Sequence, residues 1–345
     1  MKILFIDRST RLKTVNDLDT IPRGGMVQSL FRVSDYLASK GHEVAVLSDI
    51  QKAGIAASGV EWHNDINMAD WRVYSPWDVL ICNRGIGNGY PEIRAKRRIL
   101  WTHDLPHSGF APEPKILNAF HTVFMSRYAE RVWRTFYKDI KKSTFIPNGV
   151  DDWFYPRDKD YSKVVYFSHP NRGLKRLDFI AQCLKERVPG VSVEAYSDPE
   201  MYPTDKEVLG DGVDVDLPYT EGHLTLKKPL VSKELAEVVG RAGLTIMPTG
   251  YPEICSNSVL QSIASGAPLI TTGNLGATQE WVKHGKNGLL TEFLPNDYMV
   301  HTVEIVRLAT EVLTNKRFHV KLINGCKRPL SWGQVGEKWL KLIEN

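Results

Sequence analysis

Cysteine is scarce in this chain. There are 4 in 345 residues, Cys82, Cys183, Cys255 and Cys326. They lie far apart and form no metal-ligand spacing, which argues against a zinc module or a disulfide framework and for reduced thiols in a reducing compartment. No apolar run approaches a membrane span. The start, Met1 to Asp7, is apolar for only four residues before an aspartate, too short for a secretory signal and suited to a first buried strand. A cytoplasmic protein is expected, soluble or peripheral to the membrane. Charge of one sign is also lacking: 44 basic residues against 40 acidic leave a formal +4. Nucleic-acid binders concentrate basic residues more heavily, so a nucleic-acid partner is disfavoured, while a mildly positive surface suits small anionic ligands or anionic lipid. Short-period repeats and low-complexity tracts are absent.

What is present is an ordinary folded composition, 42% hydrophobic and 24% charged, in a chain long enough for two domains. Short apolar runs alternate with amphipathic stretches. Residues 2–7, 42–48, 78–83, 98–103, 122–126 and 143–147 read as buried strands. Between the first two, Val27, Leu30, Phe31, Ser34, Leu37 and Ala38 follow the helical period, and Gly41 supplies a stop. A turn-rich break, Pro147-Asn148-Gly149-Val150-Asp151-Asp152, follows. The pattern then restarts with strands at 163–168, 192–196, 243–247 and 268–272, separated by helices near 177–187, 233–241, 258–265 and 278–284. Strands alternating with helices imply parallel sheets covered on both faces. The expected fold is α/β, with two doubly wound Rossmann-like domains facing across a cleft: residues 1–155, then 156–330. In the tail, Ser331-Trp332-Gly333-Gln334 has the form of a capping box, and Val335, Trp339, Leu342 and Ile343 share one helical face. That terminal helix, 331–345, must pack on the second domain or cross back to the first, and the crossing is expected here.

Ligands of open α/β sheets bind where strands end, so the chemistry is sought there. Gly24-Gly25 opens the first helix and can offer backbone N–H groups to a phosphate. The loop before it, carrying Arg8, Arg11 and Arg23, is long for a compact domain. His103-Asp104 ends the fourth strand; a neutral imidazole there can hydrogen-bond a sugar hydroxyl, although a structural role is about as frequent for such a histidine. In Ser168-His169-Pro170-Asn171-Arg172-Gly173-Leu174-Lys175, two cations and a glycine stand where a helix begins, as suits a phosphate, or else form a solvated polar loop. Pro252-Glu253-Ile254-Cys255-Ser256-Asn257 leads into a helix, with Gln261 eight residues beyond Glu253. A carboxylate at that place can bind hydroxyls or merely cap the helix.

Together these segments resemble retaining glycosyltransferase family 4, of GT-B fold, over almost the whole chain. The carriers are Arg23-Gly24-Gly25-Met26, Ile146-Pro147-Asn148-Gly149-Val150-Asp151, Asn171-Arg172-Gly173-Leu174, Pro252-Glu253 with Gln261, Ser265-Gly266-Ala267-Pro268, and Gly285-Lys286-Asn287-Gly288-Leu289. The resemblance implies a nucleotide-sugar donor, UDP- or GDP-linked, and transfer to a hydroxyl acceptor in glycan, polysaccharide or glycolipid synthesis. It implies no metal and no further cofactor. The first domain would hold the acceptor and the second the donor. Glu253 would bind donor-sugar hydroxyls, with Ile254, Cys255, Ser256 and Asn257 lining the pocket. Arg172 and Lys175 would neutralise the diphosphate, Gly24 and Gly25 would contact it, and His103 would face the sugar. Two departures stand out. Gln261 replaces the second glutamate that grips the ribose, and Arg172 stands where the family has a lysine, leaving Lys175 a less certain contact.

Two other classes compete. A sugar-nucleotide epimerase of the same fold needs acid–base carboxylates, for which only Asp104 and Glu253 offer themselves. A non-catalytic nucleotide-sugar-binding protein is suggested by Gln261. Residues 127–142 mix Tyr128, Trp133, Phe136 and Tyr137 with basic side chains, and residues 94–98 add further positive charge. This is the pattern of a membrane-surface helix or, more commonly, of a surface helix whose aromatics enter the core.

Overall fold

The computed structural model describes residues 1–16, 20–64, 76–87, 92–107, 112–197, 222–293 and 297–345. The chain divides into two compact units, Met1–Gly149 together with Leu330–Asn345, and Val150–Pro329.

Unit one is built on an eight-stranded sheet: β1 (Lys2–Leu12), β2 (Glu43–Ile50), β3 (Gly54–Ile55), β4 (Glu61–Asn64), β5 (Trp77–Asn83), β6 (Ala95–Trp101), β7 (His121–Phe124) and β8 (Ser143–Phe145). The spatial order is β3-β4-β2-β1-β5-β6-β7-β8. All pairs are parallel except β3 with β4. The central strands are continuous apolar runs because both faces are covered: Ile3, Leu4, Phe5 and Ile6 are fully buried, as are Val79, Leu80, Ile81 and Cys82. Helix α1 (Gly25–Ser39) covers one face through Leu30, Phe31, Val33 and Leu37, and Gly41 turns the chain with φ 85°. Helix α2 (Arg127–Phe136) is capped by Ser126, whose side chain accepts from Ala129 N.

Unit two is a six-stranded parallel sheet: β9 (Asp160–Tyr166), β10 (Ser192–Tyr196), β11 (Thr225–Lys227), β12 (Ala242–Met247), β13 (Leu269–Thr272) and β14 (Gly288–Thr291). Its order, β11-β10-β9-β12-β13-β14, reverses between β9 and β12, as in doubly wound nucleotide-binding sheets. Helices α3 (Leu174–Arg187), α4 (Ser232–Arg241), α5 (Asn257–Ala264), α6 (Tyr298–Thr314) and α7 (Lys316–Gly325) pack around it. The larger core joins Val164, Leu177, Ile180 and Leu184 to Leu244, Ile246, Ile270 and Ile305. Residues 150–155 fold with this unit. Arg328 donates to Phe154 O at 2.5 Å and to Asp151 O at 3.0 Å, tying the turn to the end of the second unit.

The terminal helix α8 (Trp332–Glu344) returns to unit one, and the capping box forms: Ser331 Oγ accepts from Gln334 N while Gln334 Oε1 accepts from Ser331 N. Trp332, Val335, Trp339 and Ile343 are buried. The Trp339 ring meets Trp101 edge-on at 4.8 Å between centroids. A Cβ on Gly336 would fall 2.2 Å from the Tyr36 ring, so only glycine lets α8 approach α1 this closely. Arg97 donates to the Ile343 carbonyl at 2.7 Å, satisfying a helix-end acceptor.

Candidate active site

The sequence places its densest functional signal in unit two, and there the structure gathers it at the switch between β9 and β12. After β9 the chain makes a short 3-10 turn, Pro170–Arg172. His169 Nδ1 accepts from Asn171 N at 3.1 Å, and Tyr166 donates its hydroxyl to His169 O. Gly173 then reverses the chain with φ 101° and opens α3. A Cβ there would lie 2.2 Å from Pro248 O, so any other residue would push the turn off the end of β12.

This geometry aims Arg172 at Glu253. Nε donates to Glu253 Oε1, Nη1 donates to Asn171 Oδ1, and the guanidinium lies over the Tyr251 ring at 3.8 Å. The two side chains are 17% and 11% exposed. Burial opposes the Arg172 charge, but Glu253 and Tyr251 outweigh it and raise its pKa. Glu253 is fixed from behind. Its carbonyl accepts from Ala277 N at 2.6 Å, and Gly276, with φ 69°, leaves room that a Cβ would fill 2.4 Å from Glu253 N.

Ile254 and Cys255 are buried, and Ser256 stands at the N-cap of α5 without a side-chain bond to the helix. Gln261 lies on α5, 6% exposed. Helix α3 likewise begins at a glycine with no side-chain cap. Two helix starts without a side-chain cap therefore flank the Arg172–Glu253 pair, and the positive end of a helix dipole favours an anion.

Of the two cations after Gly173, Lys175 is exposed and makes no hydrogen bond or ion pair among the described residues, whereas Arg176 turns inward. Arg176 Nη2 donates to Pro248 O, and Nη1 donates to His301 Nδ1 at 2.7 Å. His301 Nε2 reaches Thr291 Oγ1 at 2.8 Å. Burial, then the Arg176 charge, lowers the His301 pKa to about 4. Sequence reasoning passed over Arg176, Tyr251 and His301. The available signal was spacing: Arg176 stands four residues before the buried Ile180, on the inward side of α3.

Unit one contributes its own strand-end residues. Gly24 is the N-cap of α1, again with no side-chain bond, and Gly25 is the first helical residue. His103 lies two residues beyond β6 with its ring 4.6 Å from Trp101. Its ring edge is partly open, but Nε2 is closed off and has no partner among the described residues. Burial first, then Arg84, lowers its pKa to about 3, so the imidazole is neutral. On α2, Trp133 is buried and stacked on Tyr137 at 5.5 Å, while Phe136 is 58% exposed. Arg8 and Arg11, expected in the loop before Gly24, instead fall within β1, and their side chains lie outside those described. Among the described residues no helix is long and apolar enough to cross a membrane, and no group of three or more His, Cys, Asp or Glu is placed to hold a metal ion.

The class these units define is GT-B, two parallel-sheet Rossmann-like domains, and solved structures of that fold match the whole chain. They include sucrose-phosphate synthase from Thermosynechococcus elongatus, 16% identical, covering all of this chain and 98% of that one at a TM-score of 0.76. Another is Anabaena HepE in complex with UDP and glucose, 13% identical, with both chains wholly covered at 0.70. WaaG, a glycosyltransferase involved in lipopolysaccharide biosynthesis, is 12% identical, with 99% of each chain covered at 0.70. In sequence, 187 residues, 53% of the chain, are 25% identical to an exopolysaccharide phosphotransferase of Streptomyces coelicolor. The match spans only 19% of that relative's length. No family model matches.

Proposed function

We propose that this protein is a retaining glycosyltransferase resembling family 4, moving a sugar from a UDP- or GDP-sugar to a hydroxyl acceptor in glycan, polysaccharide or glycolipid synthesis. The observation that carries this reading is the Arg172–Glu253 pair at the β9/β12 switch, between two uncapped helix starts. Helix N-termini and a guanidinium suit a diphosphate, and electrostatic stabilisation of a departing diphosphate is the main demand of such a transfer. Glu253, held at its backbone by Ala277, would take donor-sugar hydroxyls, with residues 254–257 lining the pocket. Gln261 would meet the ribose. Arg172 would neutralise the leaving group, with Arg176 behind it as a second cation and Lys175 at the rim. Gly24, Gly25 and the neutral His103 would serve from unit one. The HepE complexes contain UDP and glucose or UDP-glucose, which supports a UDP-sugar donor here. The Streptomyces relative is named for exopolysaccharide, which supports a glycan context.

The epimerase alternative needs a carboxylate available for proton transfer. Asp104 is engaged by Arg84 and Glu253 by Arg172, which favours transfer over epimerisation.

The test is a thermal-shift panel of UDP- and GDP-sugars, followed by assay of nucleotide release and NMR of the product anomer. One donor should raise Tm and be consumed with the anomeric configuration kept. Inversion would remove the retaining assignment, an epimer formed without acceptor would favour the alternative, and a panel with no binding would sink the reading.

A further inference from the structure

Strand β5 ends in an unusually tight turn. Gly85 donates its N–H to Asn83 O at 3.0 Å, which makes Arg84 the centre of a γ-turn. Arg84 has φ 74°, and among the described residues it is the one non-glycine with positive φ. A γ-turn of this hand is rare and strained, and such strain persists only where the surroundings enforce it. Here they do. Arg84 N donates to Trp101 O at 2.8 Å, continuing the β5–β6 ladder one residue past the end of β5. Arg84 Nε donates to the Asp104 carboxylate. The Asp104 carbonyl accepts from Trp133 Nε1 at 2.9 Å. The turn therefore spends backbone strain to set one guanidinium against one carboxylate. The pair is 23% and 16% exposed, and an ion pair so placed is weak evidence of a stabilising role, because desolvation offsets the attraction.

A second observation lies beside it. Asn83 Oδ1 and His103 Nε2 are buried polar atoms without a partner among the described residues. Such atoms are uncommon in folded proteins and ask for an explanation, of which a ligand is one. Asn83 Nδ2 is already used, donating to Asp7 Oδ2 at 3.0 Å. The orphaned atoms, the strained turn and the ion pair all stand at the carboxyl ends of β5 and β6, where ligands of such sheets bind.

We propose that Arg84 is a positioning residue for the acceptor. It holds the Asp104 carboxylate so that Asp104 accepts a hydrogen bond from a saccharide hydroxyl, while Asn83 Oδ1 accepts from a neighbouring one. The ligand is a polyhydroxylated sugar, bound through its own O–H groups. The assignment rests on the reading of the protein as a glycosyltransferase, but its test is binding and needs no turnover.

The probes are methyl glycosides of glucose, galactose and mannose, followed by saturation-transfer NMR with the full chain, with UDP binding measured in parallel. The wild type should bind at least one glycoside. Arg84→Gly keeps the turn, since glycine takes this φ without penalty, and removes the guanidinium. Glycoside Kd should rise at least tenfold and UDP Kd should stay within twofold. Asp104→Asn should show the same glycoside loss, and Arg84→Lys should recover part of it. No glycoside binding in the wild type, or unchanged binding in Arg84→Gly, overturns the proposal. Failure of UDP-sugars to bind or react would instead overturn the transferase reading.

Discussion

Arg172 and Glu253 are 81 residues apart in sequence and meet as an ion pair at the ends of two neighbouring central strands. The pair joins a cation suited to phosphate with an acid suited to hydroxyls. Replacing Glu253 by Gln keeps the shape and removes the charge. Transfer, read as kcat/KM for nucleotide release, should fall by about 10²-fold, the usual cost of losing one electrostatic contact in a transition state. A loss below threefold would remove Glu253 from the site.

Gly173 is a sharper structural test. Its φ of 101° and the 2.2 Å separation from Pro248 O to any added Cβ leave no room for alanine. Gly173→Ala should destabilise unit two by at least about 2 kcal/mol, through both backbone strain and the clash. Urea unfolding would show this as a lower midpoint with an unchanged slope.

His301 makes stability depend on pH. Its folded pKa of about 4 lies below the ordinary 6.5, so the unfolded chain binds the proton more tightly. The resulting stability is fully present above pH 6.5 and is lost progressively as pH falls toward 4. At 1% exposure the shift corresponds to about 3 kcal/mol. His301→Gln should lower stability near neutrality and flatten the decline between pH 6.5 and 4, measured by chemical denaturation across that range.

Gln261 is where the chain departs from the family it resembles. If it meets the ribose, Gln261→Glu should tighten UDP binding about fivefold by calorimetry, because hydrogen bonds to a carboxylate are stronger. Unchanged or weaker binding would place the ribose elsewhere.

Trp339 anchors α8 against Trp101. Trp339→Ala should cost about 3–5 kcal/mol, the range for emptying a large aromatic site, and should destabilise unit one while leaving unit two's unfolding transition in place. Calorimetry would separate the two transitions.

Much of the fold is legible in the sequence, for identifiable reasons. Strands such as Ile3–Ile6 and Val79–Cys82 are unbroken apolar runs because both sheet faces are covered. Ser331 and Gln334 announce the start of α8, and Gly41 marks the end of α1. The expected helix near 258–265 is α5, Asn257–Ala264. The polar or very short strands escaped. Glu61–Asn64 and Gly54–Ile55 lie at the sheet edge, where burial imposes little apolar pattern, and Thr225–Lys227 is an edge strand of unit two. Helices α6 and α7 were also missed.

The site divides in the same way. Glycines, a strand-end histidine and the acid before α5 carry local signals, which is why Gly24, Gly25, His103, Arg172 and Glu253 are candidates from sequence. That Arg172 grips Glu253, that Arg176 rather than Lys175 turns inward, and that Arg84 is bent against Asp104 depend on side chains brought together across strands. Sequence alone determined the alternation of strand and helix, because burial and backbone hydrogen bonding act on near neighbours. Which charges meet was left to the tertiary structure, because the order of strands in the sheet, not their order in the chain, decides which loops share an edge.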